Sequence, residues 1–279
     1  MVVSYLGRGI AHELAGKPCQ DAVNWCVSDH GDIVMALSDG AGTARRAKEA
    51  AQGIVETVTE FFCGMPLADF TLLSADQRRS LLLDSCRASL LRIRESAEET
   101  DIRQFSATFV FAVVSDTQLL VGNLGDGLAV VLEESGRLCL DFGPEAGLTG
   151  GNSTWFVISP DAEQHLRMQV LERSAERVDF LALTSDGIWE LLCGRGDGDP
   201  VRTIRELRDY VRSGDLDGDD ALADILNQMA ELTDERMDDW SVVLWYAEGE
   251  TAGSKWEPVC RSMLREENDK YGIPESAEL

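Results

Sequence analysis

A short motif occurs twice in the sequence, each time as an apolar run followed by Ser-Asp-Gly. The first copy is IVMAL followed by Ser38–Gly40, and the second is FLALT followed by Ser185–Gly187. Asp-Gly is common in hairpin turns, and Ser or Asp often caps a helix, so each copy alone has an ordinary structural interpretation. If the two strands lie side by side, however, Asp39 and Asp186 project from the same sheet edge. Gly40, without a side chain, then leaves its carbonyl accessible.

Further acidic residues occupy similar strand-end positions. Asp126 lies between two β-like runs, Asp238 and Asp239 lie just before SVVLWY and are separated from it by Trp240, and Asp21 lies in PCQDAV. Carboxylates within ~4 to 6 Å of one another raise each other's pKa, so such a group needs a cation. A set of oxygen ligands without His or Cys favours Mg²⁺ or Mn²⁺. Two such ions ~3.5 to 4 Å apart lower the pKa of a bridging water and bind a phosphoryl oxygen, so the pattern predicts metal-assisted hydrolysis of a phosphate ester.

Several other function classes are disfavoured. There is no GxxxxGK[ST] loop, the nearest approach to GxGxxG ends in His12, and the three histidines show no zinc-ligand spacing. The formal charge of −25, from 25 Lys+Arg and 50 Asp+Glu, argues against nucleic-acid or anionic-membrane partners.

The cysteines and the hydropathy indicate the compartment. The seven cysteines are scattered singly without any CxxC pair, which is typical of reduced thiols. No run approaches the ~18 apolar residues of a membrane span, and the first residues lack the layout of a signal peptide. We therefore expect a cytoplasmic protein.

The elements that must position these acids follow from hydrophobic periodicity. Helical spacing of apolar residues predicts two long helices, Thr43–Phe62 and Ser74–Glu99. LGDG and EESG are typical of hairpin turns. Strands, then two helices, then further strands favour an α+β fold. The predicted strands are Asp32–Leu37, Ala107–Val114, Leu119–Asn123, Leu128–Leu132, Phe180–Thr184 and Ser241–Tyr246.

The chain shows no repeat and no Pro/Ser-rich linker, so we expect one domain over residues 1–248. A mostly helical stretch, broken by Gly/Asp-rich pieces, predicts an inserted flap at about 191–235. Residues 249–279 form a polar C-terminal extension.

Six motifs in order carry a resemblance to a known family. The motifs are QDA (20–22), SDGAG (38–42), SAT (106–108), GDG (125–127), TSDGIWE (184–190) and DDWSVV (238–243). With these motifs, the sequence resembles the metal-dependent Ser/Thr protein phosphatases of type 2C, and most of all their bacterial branch, over roughly residues 4–246. The resemblance implies a four-layer αββα sandwich, in which two antiparallel sheets are flanked by helix pairs and a binuclear Mn/Mg centre lies at one end.

The resemblance also implies roles for the acids. Asp39 would bridge the two metals. The Gly40 carbonyl and a water-linked Asp21 would serve one ion, and Asp186 with Asp238 would hold the other.

Two assignments extend this set. Asp126 matches the acid that bacterial members use for a third, weaker metal. In DDWS the first acid aligns with the ligand, which favours Asp238, although a slip of one residue to Asp239 remains open.

The sequence departs from the family at two places. Ala41 stands where many members carry a histidine proposed as general acid, and Gly16 lies near the place of the usual phosphate-binding Arg. His12, near the first acidic motif, and Arg45, at the start of a predicted helix, are candidate phosphate-binding residues. The sequence does not choose among the available substitutes, which are Arg8, His12, Lys17, Arg45 and Arg46.

Two hypotheses follow. The first is a cytoplasmic phosphatase that hydrolyses phosphoserine or phosphothreonine with a metal-bridged water, acting on a phosphorylated protein such as a Ser/Thr kinase or its target. The second, motivated by the missing His and Arg, is a phosphatase-fold sensor that binds a phosphorylated partner without turnover.

Overall fold

The computed structural model describes residues 1–143, 154–173, 177–188, 200–212 and 238–247. Two five-stranded antiparallel sheets form its centre. The strands are β1 Val2–Gly7, β2 Asp21–Val27, β3 Ile33–Asp39, β4 Phe109–Val114, β5 Gln118–Leu124, β6 Leu128–Glu133, β7 Leu138–Phe142, β8 Arg167–Glu172, β9 Val178–Thr184 and β10 Trp240–Tyr246. One sheet, called the β3 sheet, has the order β2-β3-β4-β5-β8, and the other, called the β9 sheet, has the order β1-β10-β9-β6-β7.

Helices cover both outer faces of the sheets. The two long predicted helices are confirmed as α2 and α4, and α4 begins with a capping box between Ser74 and Gln77. The helices are α1 Ile10–Leu14, α2 Ala47–Gly64, α3 Leu67–Thr71, α4 Ala75–Ser96, α5 Ala162–His165 and α6 Pro200–Arg212, with a 3₁₀ turn at Ile102–Phe105.

Three apolar layers hold the architecture together, and strand alternation assigns residues to them. In β3, Ala36 faces the layer under α2 and α4, whereas Leu37 faces the layer between the sheets. In β9, Leu183 faces the same inter-sheet layer, whereas Ala182 faces the layer that contains Ile204 of α6. Burial on both faces explains the near-continuous apolar runs. The predicted four-layer αββα sandwich is confirmed.

One predicted hairpin is wrong and the other is confirmed. LGDG does not close a hairpin, because β5 lies in the β3 sheet and β6 in the β9 sheet. The side chain of Leu124 accordingly enters the layer under α2 and α4, and that of Leu128 enters the layer beside α6. The turn at EESG does join a hairpin, in which β6 pairs with β7.

The flap and the tail fall largely outside the described residues. Within the predicted flap, the structure describes α6, and the extension at 249–279 lies beyond the described residues altogether. No helix in the described part of the chain is long and apolar enough to cross a membrane.

Candidate metal centre

The first Ser-Asp-Gly copy ends β3 beside the start of β2. Asp39 is the last residue of β3, and the antiparallel register places it opposite Asp21, the first residue of β2. The backbone of Asp39 is held by the residue before β4, since the Thr108 amide donates to the Asp39 carbonyl oxygen over 2.8 Å. At Gly40, a Cβ atom would lie 2.6 Å from the carbonyl oxygen of Ala47, so glycine allows α2 to begin against this loop.

The second copy lies in the opposite sheet, which corrects the expectation that the two strands are neighbours. Asp186 follows β9, and β9 pairs with β10 and β6 rather than with β3. The two strand ends nevertheless lie close together, since the Asp186 carboxylate is near enough for its charge to raise the pKa of Asp39 across the sandwich. Gly187 packs beneath the next motif, where a Cβ atom would overlap the carbonyl oxygen of Asp239. The acids therefore come from two sheets and meet at one end of the sandwich.

The electrostatics show that the predicted acids form one interacting cluster. Burial holds the pKa of Asp39 well above its usual range, and repulsion from Asp21, Asp186 and Asp126 adds to the effect. Burial also raises the pKa of Asp126, and Asp238 contributes to that shift. All five predicted acidic positions are thereby connected.

Asp21 is the most deeply buried of these acids. Burial raises its pKa to about 7, although a hydrogen bond from Ser241 favours the charged form; repulsion from Asp239 adds to the increase. The Ser241 hydroxyl donates to Oδ2 of Asp21 over 2.6 Å. An ionised Asp21 is therefore costly unless a cation lies nearby.

Within this acidic cluster, two carboxylate oxygens lack the partners that burial normally requires. Oδ1 of Asp21 and Oδ1 of Asp126 are buried and accept no hydrogen bond from any described residue. A divalent cation would satisfy such oxygens and also offset the repulsion between the carboxylates. The donor set is made of oxygen atoms, so these residues fit a hard cation of the Mg²⁺ or Mn²⁺ type.

The two acids of DDWS have different surroundings. The side chain of Asp239 is 1% exposed, and its oxygens accept the Gly9 amide at 2.8 Å, the Gln20 amide at 2.6 Å and the Nδ1 position of His12 at 2.6 Å. The side chain of Asp238 is 59% exposed, and its charge acts on Asp126. His12, Asp238 and Asp239 also form a close group, within 4.8 Å of one another. Because the oxygens of Asp239 are already engaged, the geometry supports Asp238 as the ligand.

The candidate phosphate-binding residues are engaged in other contacts. His12 is buried with its Nδ1 turned to Asp239, and the Arg45 guanidinium pairs with Glu99 at 2.8 Å. The ammonium group of Lys17, in contrast, lies against the loop that follows Gly40, because its Nζ donates to the Gly42 carbonyl over 3.1 Å.

Sequence reasoning missed the supporting roles of Ser241, Gln20 and Asp239. Their signal was available, since all three lie inside the quoted motifs QDA and DDWS, next to the acids singled out as ligands. Ser241 donates to Asp21, and the Gln20 amide donates to Asp239. These residues support the cluster from within its own motifs.

Comparison with known proteins agrees with this geometry. The chain is 26% identical over 247 residues to serine/threonine-protein phosphatase 3 of Escherichia coli (strain K12), covering 85% of this chain and 95% of that protein. The serine/threonine phosphatase Stp1 of Staphylococcus aureus superposes with a TM-score of 0.59 at 17% identity, over 89% of this chain and 95% of that one. The Mycobacterium tuberculosis phosphatase PstP/Ppp gives 0.59 at 16% identity, over 89% and 99%.

At these identities, the two solved structures establish the fold. The family is established by the sequence profile described as Protein phosphatase 2C, which matches residues 8–240. The chain therefore belongs to the protein phosphatase 2C family and is a protein phosphatase of that metal-dependent type.

Proposed function

We propose that this phosphatase hydrolyses phosphoserine and phosphothreonine monoesters on phosphorylated proteins, using two Mn²⁺ or Mg²⁺ ions and a third, more weakly bound ion. The observation that carries the proposal is the cluster of mutually repelling acids with two buried, unsatisfied carboxylate oxygens. The residues that would hold the two ions are Asp21, Asp39, the Gly40 carbonyl, Asp186 and Asp238, with Asp126 serving the third.

Divalent cations bound there supply a coordinated water of lowered pKa and positive charge that stabilises a phosphoryl group. The protein contributes rigid placement, because Asp39 ends a strand that is hydrogen-bonded on both sides. The Ser241 hydroxyl orients the Asp21 carboxylate through Oδ2, which leaves Oδ1 directed elsewhere. Positioning of this kind is what hydrolysis of a phosphate monoester requires.

Lys17 is the cation best placed to receive a phosphoryl group among the candidates considered. Its hydrogen bond to the Gly42 carbonyl holds the ammonium group against the loop that begins at Gly40. Arg45 instead directs its guanidinium to Glu99 and Gln104. We propose that Lys17 contributes the positive charge expected from the missing arginine.

The test is metal-dependent release of phosphate from p-nitrophenyl phosphate and from a phosphothreonine peptide. Asp39→Asn and Asp186→Asn should each lower the rate at saturating Mn²⁺ by at least about a hundredfold. Asp32→Asn is the matched control, since Asp32 is a buried acid before β3 whose carboxylate accepts the Leu67 amide. Activity that survives chelation, or that persists in both Asp39→Asn and Asp186→Asn, would contradict the proposal.

The sensor hypothesis rested on the missing His and Arg, and no observation in the described residues favours it. We propose a phosphorylated cytoplasmic protein, such as a Ser/Thr kinase or its target, as the substrate. Phosphoproteomic comparison of cells with and without the active chain tests this part, because the substrate's phosphosites should increase in occupancy when the chain is absent.

A further inference from the structure

Asp239 is a buried acid whose carboxylate has three hydrogen-bond partners, yet it carries none of the roles assigned so far. Its two oxygens receive the Gly9 amide, the Gln20 amide and Nδ1 of His12, at 2.6 to 2.8 Å. Its backbone carbonyl oxygen packs against Gly187. Three short hydrogen bonds to one buried carboxylate fix its position and orientation.

These bonds connect the two sheets at the end where the acids meet. Gln20 directly precedes Asp21 of β2 in the β3 sheet, whereas Asp239 directly precedes β10 of the β9 sheet. The Ser241 hydroxyl makes a second connection, from β10 to the Asp21 carboxylate. The candidate ligands Asp21 and Asp238 thus come from opposite sheets. Buried hydrogen bonds beside them hold the two sheets at a fixed relative position at this end.

His12 brings a third segment to the same point. It lies in α1, between β1 and β2, and its buried ring bonds to Asp239 with Asp238 Oδ1 3.7 Å away. The Gly9 amide, just before α1, donates to the same carboxylate. Asp239 therefore fastens both ends of the segment 9–20 to the start of β10.

We propose that Asp239, assisted by His12, is a positioning residue that sets the separation of the ligands on the two sheets and thereby the affinity for the divalent cation. The inference rests on the proposed function of the site. Partners that orient metal ligands typically change metal affinity about 10- to 100-fold when they are lost.

The variant Asp239→Asn tests the proposal. Asparagine has the same size, but its amide group brings an N–H donor toward the donors that now face an oxygen. The matched control is Asp32→Asn, in which a buried carboxylate oxygen that accepts a backbone amide is replaced at the other end of β3. Mn²⁺ dissociation constants are measured by titration calorimetry. Each protein is measured at the same number of degrees below its own melting midpoint.

We expect Mn²⁺ to bind Asp239→Asn at least about tenfold more weakly and Asp32→Asn within about twofold of the wild type. Binding of Mn²⁺ to Asp239→Asn within about twofold of the wild type, or equal weakening in both variants, overturns the positioning role of Asp239. Failure of the wild type to bind Mn²⁺ overturns the proposed function and this positioning role together. If Asp239→Asn does not fold, His12→Phe keeps a ring at this position but removes one donor to the carboxylate, and the same criteria apply to it.

A second, independent observation concerns two cysteines. The sulfur atoms of Cys26 in β2 and Cys63 in the last turn of α2 lie 2.7 Å apart. Two residues earlier on β2 and four residues earlier on α2, the Asn24 side-chain amide donates to the Thr59 hydroxyl over 2.8 Å. Residues two apart on a strand and four apart on a helix are both separated by about 6 to 7 Å, so the register that joins Asn24 to Thr59 brings the two thiols together.

We infer that Cys26 and Cys63 form a thiol–disulfide site that reacts with a small-molecule disulfide. One thiol, after loss of its proton, attacks a sulfur of the reagent and displaces one small thiol. The second cysteine, also deprotonated, then attacks the resulting mixed disulfide and displaces the other small thiol. The protein pair is oxidised by two electrons, and the reagent is reduced to two thiols. The inference makes this pair an exception to the expectation that the cysteines are reduced thiols.

Incubation of the full chain with oxidised glutathione tests this site. The protein should lose the mass of two hydrogen atoms and yield a peptide pair linked through Cys26 and Cys63. Its melting midpoint should increase by several degrees, because the cross-link ties α2 to β2 and restricts the unfolded chain. Cys26→Ser should abolish all three changes, and Cys139→Ser should preserve them. A persistent glutathione adduct, linkage to another cysteine or unchanged thiols would overturn the inference.

Discussion

Replacing Asp21 with asparagine removes one negative charge from the buried acidic cluster without changing the size of the side chain. Asparagine retains an oxygen that can accept the Ser241 hydroxyl, which now donates to Oδ2 of Asp21. The substitution is expected to weaken cation binding and, at the same time, to stabilise the metal-free protein. The second effect is the informative one, because most substitutions of buried groups destabilise a fold.

The magnitude follows from the surroundings of Asp21. Burial and repulsion from Asp239, opposed by the Ser241 hydrogen bond, raise its pKa from 3.8 to about 7. At ~1.36 kcal/mol per pKa unit, ionising this carboxyl in the folded, metal-free protein costs roughly 4 kcal/mol. Burying the new amide group without a full set of partners costs about 2 kcal/mol. The net gain is therefore about 2 kcal/mol, equivalent to an increase of about 4 to 8 °C in the melting midpoint.

The pH dependence has a defined sign. Between the unfolded and folded pKa values of Asp21, the folded state binds the proton and the unfolded state does not. The contribution of Asp21 to the free energy of unfolding of the metal-free wild type therefore falls as pH rises from about 4 to about 7. In Asp21→Asn this slope should be smaller, and the advantage of the variant should be present at pH 8 and absent at pH 5.

The assay is thermal and urea unfolding of both proteins in a chelator at pH 5 and pH 8, repeated with saturating Mn²⁺. In Mn²⁺ the wild type should gain more stability than the variant, because the cation binds the folded state of the wild type more tightly. A variant that is less stable than the wild type at pH 8 without metal, with an unchanged pH slope, would refute the reasoning that these carboxylates repel one another.

Two further predictions concern the loop after β3. Gly40→Ala should lower the free energy of unfolding by about 1 to 3 kcal/mol in urea titrations, because the added carbon would lie 2.6 Å from the Ala47 carbonyl oxygen. Gly42→Ala is the control and should change the free energy of unfolding little, since the atom nearest to its added carbon, Gln20 Oε1, would lie 4.0 Å away. Equal losses of stability in the two variants would contradict the packing argument. Lys17→Met should raise KM for a phosphopeptide about tenfold with a smaller change in kcat, in steady-state assays at saturating Mn²⁺. An unchanged KM would remove Lys17 as the phosphate-binding cation.

The strands that sequence patterns predicted are those buried on both faces, such as β4, where all six residues are buried. The strands they missed include β1, whose residues are only half-buried, and β7, whose pattern mixes buried, half-buried and exposed positions. A half-buried strand at a sheet edge gives a weaker hydrophobic signal. The pairing of β5 was predicted incorrectly for another reason, since a short turn is compatible both with a hairpin and with a crossing between sheets.

The amino-acid sequence alone determined the identity of the acids, their strand-end positions and the layered α+β class, because apolar periodicity and motif order are local properties of the chain. The tertiary structure decided which sheet carries each Ser-Asp-Gly copy, since long-range pairing placed β3 and β9 in opposite sheets. It also separated two consecutive acids. Asp238 faces solvent near Asp126, whereas Asp239 is buried among donors from the segment 9–20. Asp238 and Asp239 are adjacent and chemically identical. Only their surroundings, which are two backbone amides and His12 for Asp239, distinguish the carboxylate that remains available for a metal.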